Sequence, residues 1–116
     1  MHASFLDLIK LVLPESLFEY FQMVKHEIKD SSLHIYLEEL NHVPPEYLNE
    51  SLMSKGFFEE ITIQDFPIRG YVVFLHVKRR RWINTKTDKV VYRDWKLVAQ
   101  GTRITKDFAD FLKQLD

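Results

Sequence analysis

Cysteine is absent from the 116-residue sequence. No disulfide can form and no thiolate can hold zinc, so a metal site would need His and carboxylate ligands alone. Glycine is nearly as scarce, with three in all, and no G-x-S-x-G, P-loop or G-x-G-x-x-G pattern occurs to seat a nucleophile or cradle a phosphate. No apolar run approaches the roughly 18 residues of a membrane span. The start, Met1–Pro14, lacks the basic n-region and small-residue cleavage site of a signal peptide and reads as a helix. These absences lead us to expect a cytoplasmic protein with no membrane contact, no cofactor and no small-molecule substrate.

The composition is 46% hydrophobic and 28% charged, with aromatics at 14% and nine Phe. That suits one packed domain over residues 1–116 rather than a disordered chain. The net charge of −1 conceals an asymmetry. Residues 1–66 hold four basic and twelve acidic residues, a net of −8, and residues 67–116 hold twelve basic and five acidic, a net of +7. A basic half of this kind points to a polyanionic partner.

The chain reads as α+β. Ser4–Leu13 has a helical apolar pattern, with Ser4 as candidate N-cap. Pro14 interrupts it and can open a second short helix over Glu15–Tyr20. The runs Met23–Lys29 and Leu33–Glu38, joined by Asp30-Ser31-Ser32, read as a β-hairpin with Leu33, Ile35 and Leu37 on one face. Residues 1–40 thus form a helical segment plus a hairpin. Residues 41–56 form a connector, in which Pro44-Pro45 stops regular structure and Glu46–Ser54 is read as a helical turn closed by Gly56.

Residues 57–100 read as an antiparallel sheet with a basic ribbon. Ile61-Thr62-Ile63 is a short strand and Pro67-Ile68-Arg69-Gly70 a turn. Tyr71–Val77 has the look of a central, buried strand. At Lys78-Arg79-Arg80-Arg81 that strand changes character. Successive strand side chains point to opposite faces, so four consecutive cations charge both faces, and the strand must leave the core or meet an anion. Asn84–Lys89 is turn-like, with Asp88 able to take a left-handed conformation, and Val90–Val98 returns as the second arm. A helix spans 104–115, with Thr105 as N-cap, Asp107 in the first turn, and Phe108, Phe111, Leu112 and Leu115 on one face.

The basic ribbon is the strongest chemical signal. Arg69, Lys78, Arg79, Arg80, Arg81, Lys86, Lys89, Arg93, Lys96, Arg103 and Lys106 are interrupted only by Asp88 and Asp94, a net of +9. Such a surface attracts phosphates without sequence readout, and a two-stranded ribbon fits a major groove. A solvated, charged edge hairpin that discourages aggregation would look the same. Trp82 and Trp95 suit packing inside a hairpin better than stacking on exposed bases. His2, His26, His34, His42 and His76 show no metal-ligand spacing and read as surface or partly packed residues. Glu38-Glu39, Glu59-Glu60 and Asp65 could pair as in a metal-dependent nuclease, but solvated edges explain them better.

Ile61–Gly70, Val72–Trp82 with its Lys78-Arg79-Arg80-Arg81 run, Tyr92-Arg93-Asp94-Trp95 and Gly101–Thr105 together resemble the N-terminal region of bacterial insertion-sequence transposases of the ISAon type. These are similar to the broader ISL group, which carries an aspartate-leucine-proline turn, a basic strand and a cysteine-bearing zinc ribbon. Asp65-Phe66-Pro67 stands at the turn and Val77–Arg81 at the basic strand, while Trp82 falls where the zinc-bearing relatives have a cysteine. The resemblance implies a zinc-ribbon-like unit without zinc, centred on Trp82, Val91 and Trp95. It implies recognition of double-stranded DNA at terminal inverted repeats, with the acidic catalytic triad on a downstream or separate polypeptide and no catalytic residue here.

Two further associations follow as expectations. The acidic segment Met1–Asp65 could dock on a catalytic transposase subunit or cover the basic ribbon when DNA is absent, and the chain could form a homodimer.

Overall fold

The computed structural model describes residues 5–14, 16–101 and 105–115. It is α+β, with helices at both ends of the chain and strands between them. The contacts divide it into two compact units, one formed by Met1–Phe21 with Asp94–Asp116 and one by Gln22–Arg93.

The first unit is helical. α1 covers Phe5–Val12, α2 Leu17–Tyr20, α3 Trp95–Ala99 and α4 Lys106–Leu112. Pro14 separates α1 from α2, as its missing N–H and fixed φ require, and the expected cap Ser4 lies outside the described residues. Thr105 Oγ1 accepts from the Phe108 N–H at 3.2 Å, the cap expected of it. Phe108, Phe111, Leu112 and Leu115 are all buried, so the helical spacing seen in the sequence does mark a core face. Phe21 stacks on Trp95 with ring centroids 5.2 Å apart and meets Phe111 edge-on at 6.0 Å.

The second unit holds two sheets. β1 (Phe21–Lys29), β2 (Ser32–Glu39), β5 (Tyr71–Lys78) and β4 (Ile61–Ile68) form a four-stranded sheet in the order β1-β2-β5-β4. β3 (Leu52–Phe57), β6 (Arg80–Asn84) and β7 (Val90–Tyr92) form a three-stranded sheet in that order. Leu33, Ile35 and Leu37 of β2, Val73, Leu75 and Val77 of β5, and Ile63 of β4 are buried on one face of the larger sheet. β5 is a central strand, as its apolar run suggests.

Four expectations change. The larger sheet is mixed rather than antiparallel, because β2 and β5 run parallel, with Leu33 opposite Val73 and Leu37 opposite Val77. Parallel neighbours need a long connection, and here the intervening chain makes β3 and β4. The connector 41–56 is not helical beyond a 3-10 turn at Pro45–Tyr47, and β3 follows it. Gly56, expected to close a helix, instead sits at φ +81° where the β3–β6 register slips between Ser54 and Phe57. Finally, the second ribbon arm ends at Tyr92. Asp94 Oδ1 accepts from the Leu97 N–H at 3.1 Å and starts α3, which a continuous strand to Val98 could not accommodate.

Candidate nucleic-acid interface

The run Lys78–Arg81 lies where the chain passes from one sheet to the other: β5 ends at Lys78 and β6 begins at Arg80. The sheet change answers the demand that four adjacent cations impose, but the surrounding structure holds much of that charge internally. Lys78 stands opposite Glu38 across β2–β5 and lines a depression of about 280 Å³ with Lys25, Tyr36, Glu38 and Glu60. Arg79 lies over the Phe58 ring at 5.4 Å. Arg80 covers Phe57 at 4.6 Å and donates to the Glu39 carbonyl and to Ser54 Oγ, at 3.1 and 2.6 Å.

Arg93 departs furthest from the expected DNA-contacting surface. It is 6% exposed, and its Nε donates to Glu39 Oε2 at 3.0 Å. Its second nitrogen donates to the His42 carbonyl. Glu39 is fully buried and also accepts the Arg80 backbone N–H at 2.8 Å. Burial pushes the Glu39 carboxyl above its ordinary range, against the pull of Arg80 and Arg93. Arg93 therefore serves the interior, since a buried carboxylate needs a charged, hydrogen-bonded partner.

The other expected cations are dispersed. Arg69 is exposed at the tip of the β4–β5 hairpin. Lys96 on α3 and Lys106 on α4 belong to the helical unit, and Lys106 pairs with Asp110 at 3.0 Å. Arg103 lies outside the described residues. The expected ribbon centre also divides. Trp82 is buried in β6 opposite Val91, with its indole N–H donated to Asn41 Oδ1 at 2.9 Å, whereas Trp95 packs in the helical unit.

What the smaller sheet does assemble is a charged, partly apolar outer face. Met53, Ile83 and Val90 are in register across β3, β6 and β7, and Arg81 stands opposite Tyr92. Met53 is 58%, Val90 46% and Tyr92 56% exposed. Arg81 donates Nε to the Lys55 carbonyl at 3.1 Å and lies over Phe58 at 5.8 Å. Beyond Ile83, Asn84 ties down the turn that carries Lys86 and Lys89. Asn84 Oδ1 accepts from the Lys86 and Thr87 N–H groups at 2.9 and 3.2 Å, and Asn84 Nδ2 donates to Glu50 at 3.1 Å. Asp88 takes the expected positive φ, +59°. Among the described residues, Lys55, Arg81, Lys86 and Lys89 form no ion pair.

Compared with known proteins, the chain matches no family model, no curated protein and no solved structure.

Sequence reasoning missed Met53 and Lys55, because they fall in the stretch 41–56 read as a connector, and it did not single out Phe58 in the sheet region 57–100. The alternation of Leu52, Ser54 and Gly56 with Met53, Lys55 and Phe57 was the available signal, obscured by the bulge at Gly56.

Sequence reasoning also missed a hydrogen-bonded chain on the polar face of the larger sheet. Thr62 Oγ1, His76 and His34 follow one another at 3.0 and 2.8 Å, and His34 Nε2 reaches Ser32 Oγ at 3.1 Å. Ser32 donates onward to the Lys29 carbonyl at 2.8 Å. With both rings neutral, every link is satisfied when Ser32 accepts from His34 Nε2–H, His34 Nδ1 accepts from His76 Nε2–H, and His76 Nδ1 accepts from Thr62. Phe74, His34, His76 and Tyr36 stack in succession at 5.1, 5.0 and 4.4 Å. Burial holds His76 below its ordinary range, opposed by Glu60, whose carboxylate is 3.6 Å from Nδ1. Among the described residues, no three His, Asp or Glu side chains group as a metal site. No helix among them is long and apolar enough to cross a membrane.

Proposed function

We propose that this chain is a DNA-binding module without a catalytic site of its own, of the kind found at the N-terminus of insertion-sequence transposases of the ISAon type. It engages duplex DNA through the smaller sheet, and the strand-transfer chemistry resides on a downstream or separate polypeptide. The supporting observation is the set Lys55, Arg81, Lys86 and Lys89 on one three-stranded sheet and its turn, free of ion pairs among the described residues. From Lys78 to Tyr92 the sequence has six cations and one carboxylate, Asp88. Phosphate neutralisation by such a set releases counterions, so affinity falls with salt. The site is narrower than the full basic inventory, because Arg93 and Arg80 are committed internally.

The test is binding to a random duplex by fluorescence anisotropy across a salt series. Each lost phosphate contact removes about 0.9 from the slope of log K against log salt. The double substitution Lys86→Ala with Lys89→Ala is expected to flatten the line by about two units. Equal slopes for parent and variant would remove this sheet from consideration.

The exposed side chains Leu8, Leu11 and Val12 on α1 favour a second reading, docking on the catalytic subunit. Leu11→Glu would then abolish co-purification with that subunit while leaving DNA affinity unchanged.

A further inference from the structure

Cations account for attraction to a duplex, but not for the apolar row that they surround. Met53, Ile83 and Val90 lie side by side on the outer face of the smaller sheet, with Tyr92 one row along. Their side chains are apolar and have no strong hydrogen-bonding group. Two of the three are about half exposed, a cost in water that edge protection by charge would not require.

The arrangement suits one feature of a DNA major groove. A strand rises about 3.4 Å per residue, so Arg81 to Asn84, where the turn carrying Lys86 and Lys89 begins, spans roughly 10 Å along the strand. The major groove is about 12 Å wide. Lys55 and Arg81 lie before the row along the strand direction and Lys86 and Lys89 beyond it, so with the strands crossing the groove the two pairs are placed to meet opposite phosphate rims. The row Met53-Ile83-Val90 then faces the base edges. Of the groups displayed there, the C5 methyl of thymine is the apolar one.

We propose that this face reads thymine methyls, so that the module prefers A·T-rich duplex through apolar contact rather than through hydrogen-bond readout. The inference rests on the DNA-binding reading above and deepens it. The basic rim supplies attraction and the apolar row supplies base preference. A methyl group removed from water contributes roughly a fourfold gain in affinity. Covering two methyls therefore gives about fifteenfold.

The test uses the full chain and pairs of duplexes identical in sequence except that deoxyuridine replaces thymidine, which removes only the methyl groups. Uridine substitution is expected to weaken binding by about fifteenfold. Val90→Asn, a change at an exposed position, is expected to reduce the difference by about fourfold, one methyl contact, and to leave the salt slope intact. Equal affinity for thymine and uracil duplexes, with a normal salt slope, overturns the methyl readout and leaves the DNA-binding reading standing. Absence of salt-dependent binding to any duplex overturns both. Sedimentation that shows a dimer dissociated by Val90→Asn would assign the row to a second copy of the chain and also overturn the proposal.

Discussion

Glu39 and Arg93 meet at 3.0 Å inside the strand-rich unit, the carboxylate fully buried and the guanidinium nearly so. One comes from the acidic front half of the sequence and the other from its basic back half. The charge asymmetry of the chain is thus partly an internal matter, in which one buried carboxylate orders the junction of β2, β6 and β7. Removing one partner leaves a buried charge uncompensated, which costs about 3–5 kcal/mol. Arg93→Met should show a loss of this size in urea unfolding. Pairing it with Glu39→Leu should recover most of it, since an apolar pair of similar volume is often neutral. An unrecovered double variant would show that the two residues act separately.

Trp82 donates its indole N–H to Asn41 at 2.9 Å from a buried position in β6. Asn41→Ala is expected to cost about 1–3 kcal/mol, because the indole donor would be left unsatisfied. Trp82→Ala should cost about 3–5 kcal/mol through the cavity it opens. Denaturant midpoints at constant slope check both, and a stability unchanged in Asn41→Ala would show that water replaces the amide at no cost.

The burial of His76 in the larger sheet makes stability depend on pH. The folded protein holds His76 below the ordinary histidine value of 6.5, chiefly through burial, with His34 and Lys29 acting in the same direction and Glu60 and Glu27 opposing. In the unfolded chain His76 takes up a proton at its ordinary pKa. Its contribution is therefore intact well above about pH 6.5 and is lost as the pH falls through that value towards the folded pKa. His76→Gln should flatten the loss of stability between about pH 7.5 and 5.5. Parallel pH profiles for parent and variant would assign the acid sensitivity to carboxylates.

Arg69 and Gly70 occupy the tip of the β4–β5 hairpin with φ of +50° and +82°. Nothing lies within 4 Å of where a Cβ on Gly70 would stand, so the only cost of a side chain there is conformational. Gly70→Ala is expected to lose about 1–2 kcal/mol. Arg69→Asn should gain a few tenths to about 1 kcal/mol, because Asn tolerates the left-handed region. Thermal unfolding of the two variants should therefore shift in opposite directions.

Local chemistry was legible in the sequence where neighbouring residues decide the outcome. The break at Pro14, the hairpin turning at Asp30, the left-handed Asp88, the Thr105 cap and the Phe108–Leu115 face all depend on a few residues' dihedrals and spacing. The end of β5 at Lys78–Arg81 was also legible, since four adjacent cations cannot continue a buried strand, but not that the chain there passes from one sheet to the other beside Glu38 and Glu39. Tertiary structure decided whatever depends on partners distant in sequence. Alternation does not specify strand direction, so the parallel pairing of β2 with β5 was not visible. A positive charge in sequence does not reveal whether Glu39 will bury it, as happens to Arg93 but not to Lys86 or Lys89. Cation count thus came from the sequence alone, but which cations face solvent was settled by strands more than twenty residues apart, because burial and pairing are properties of the assembled sheets.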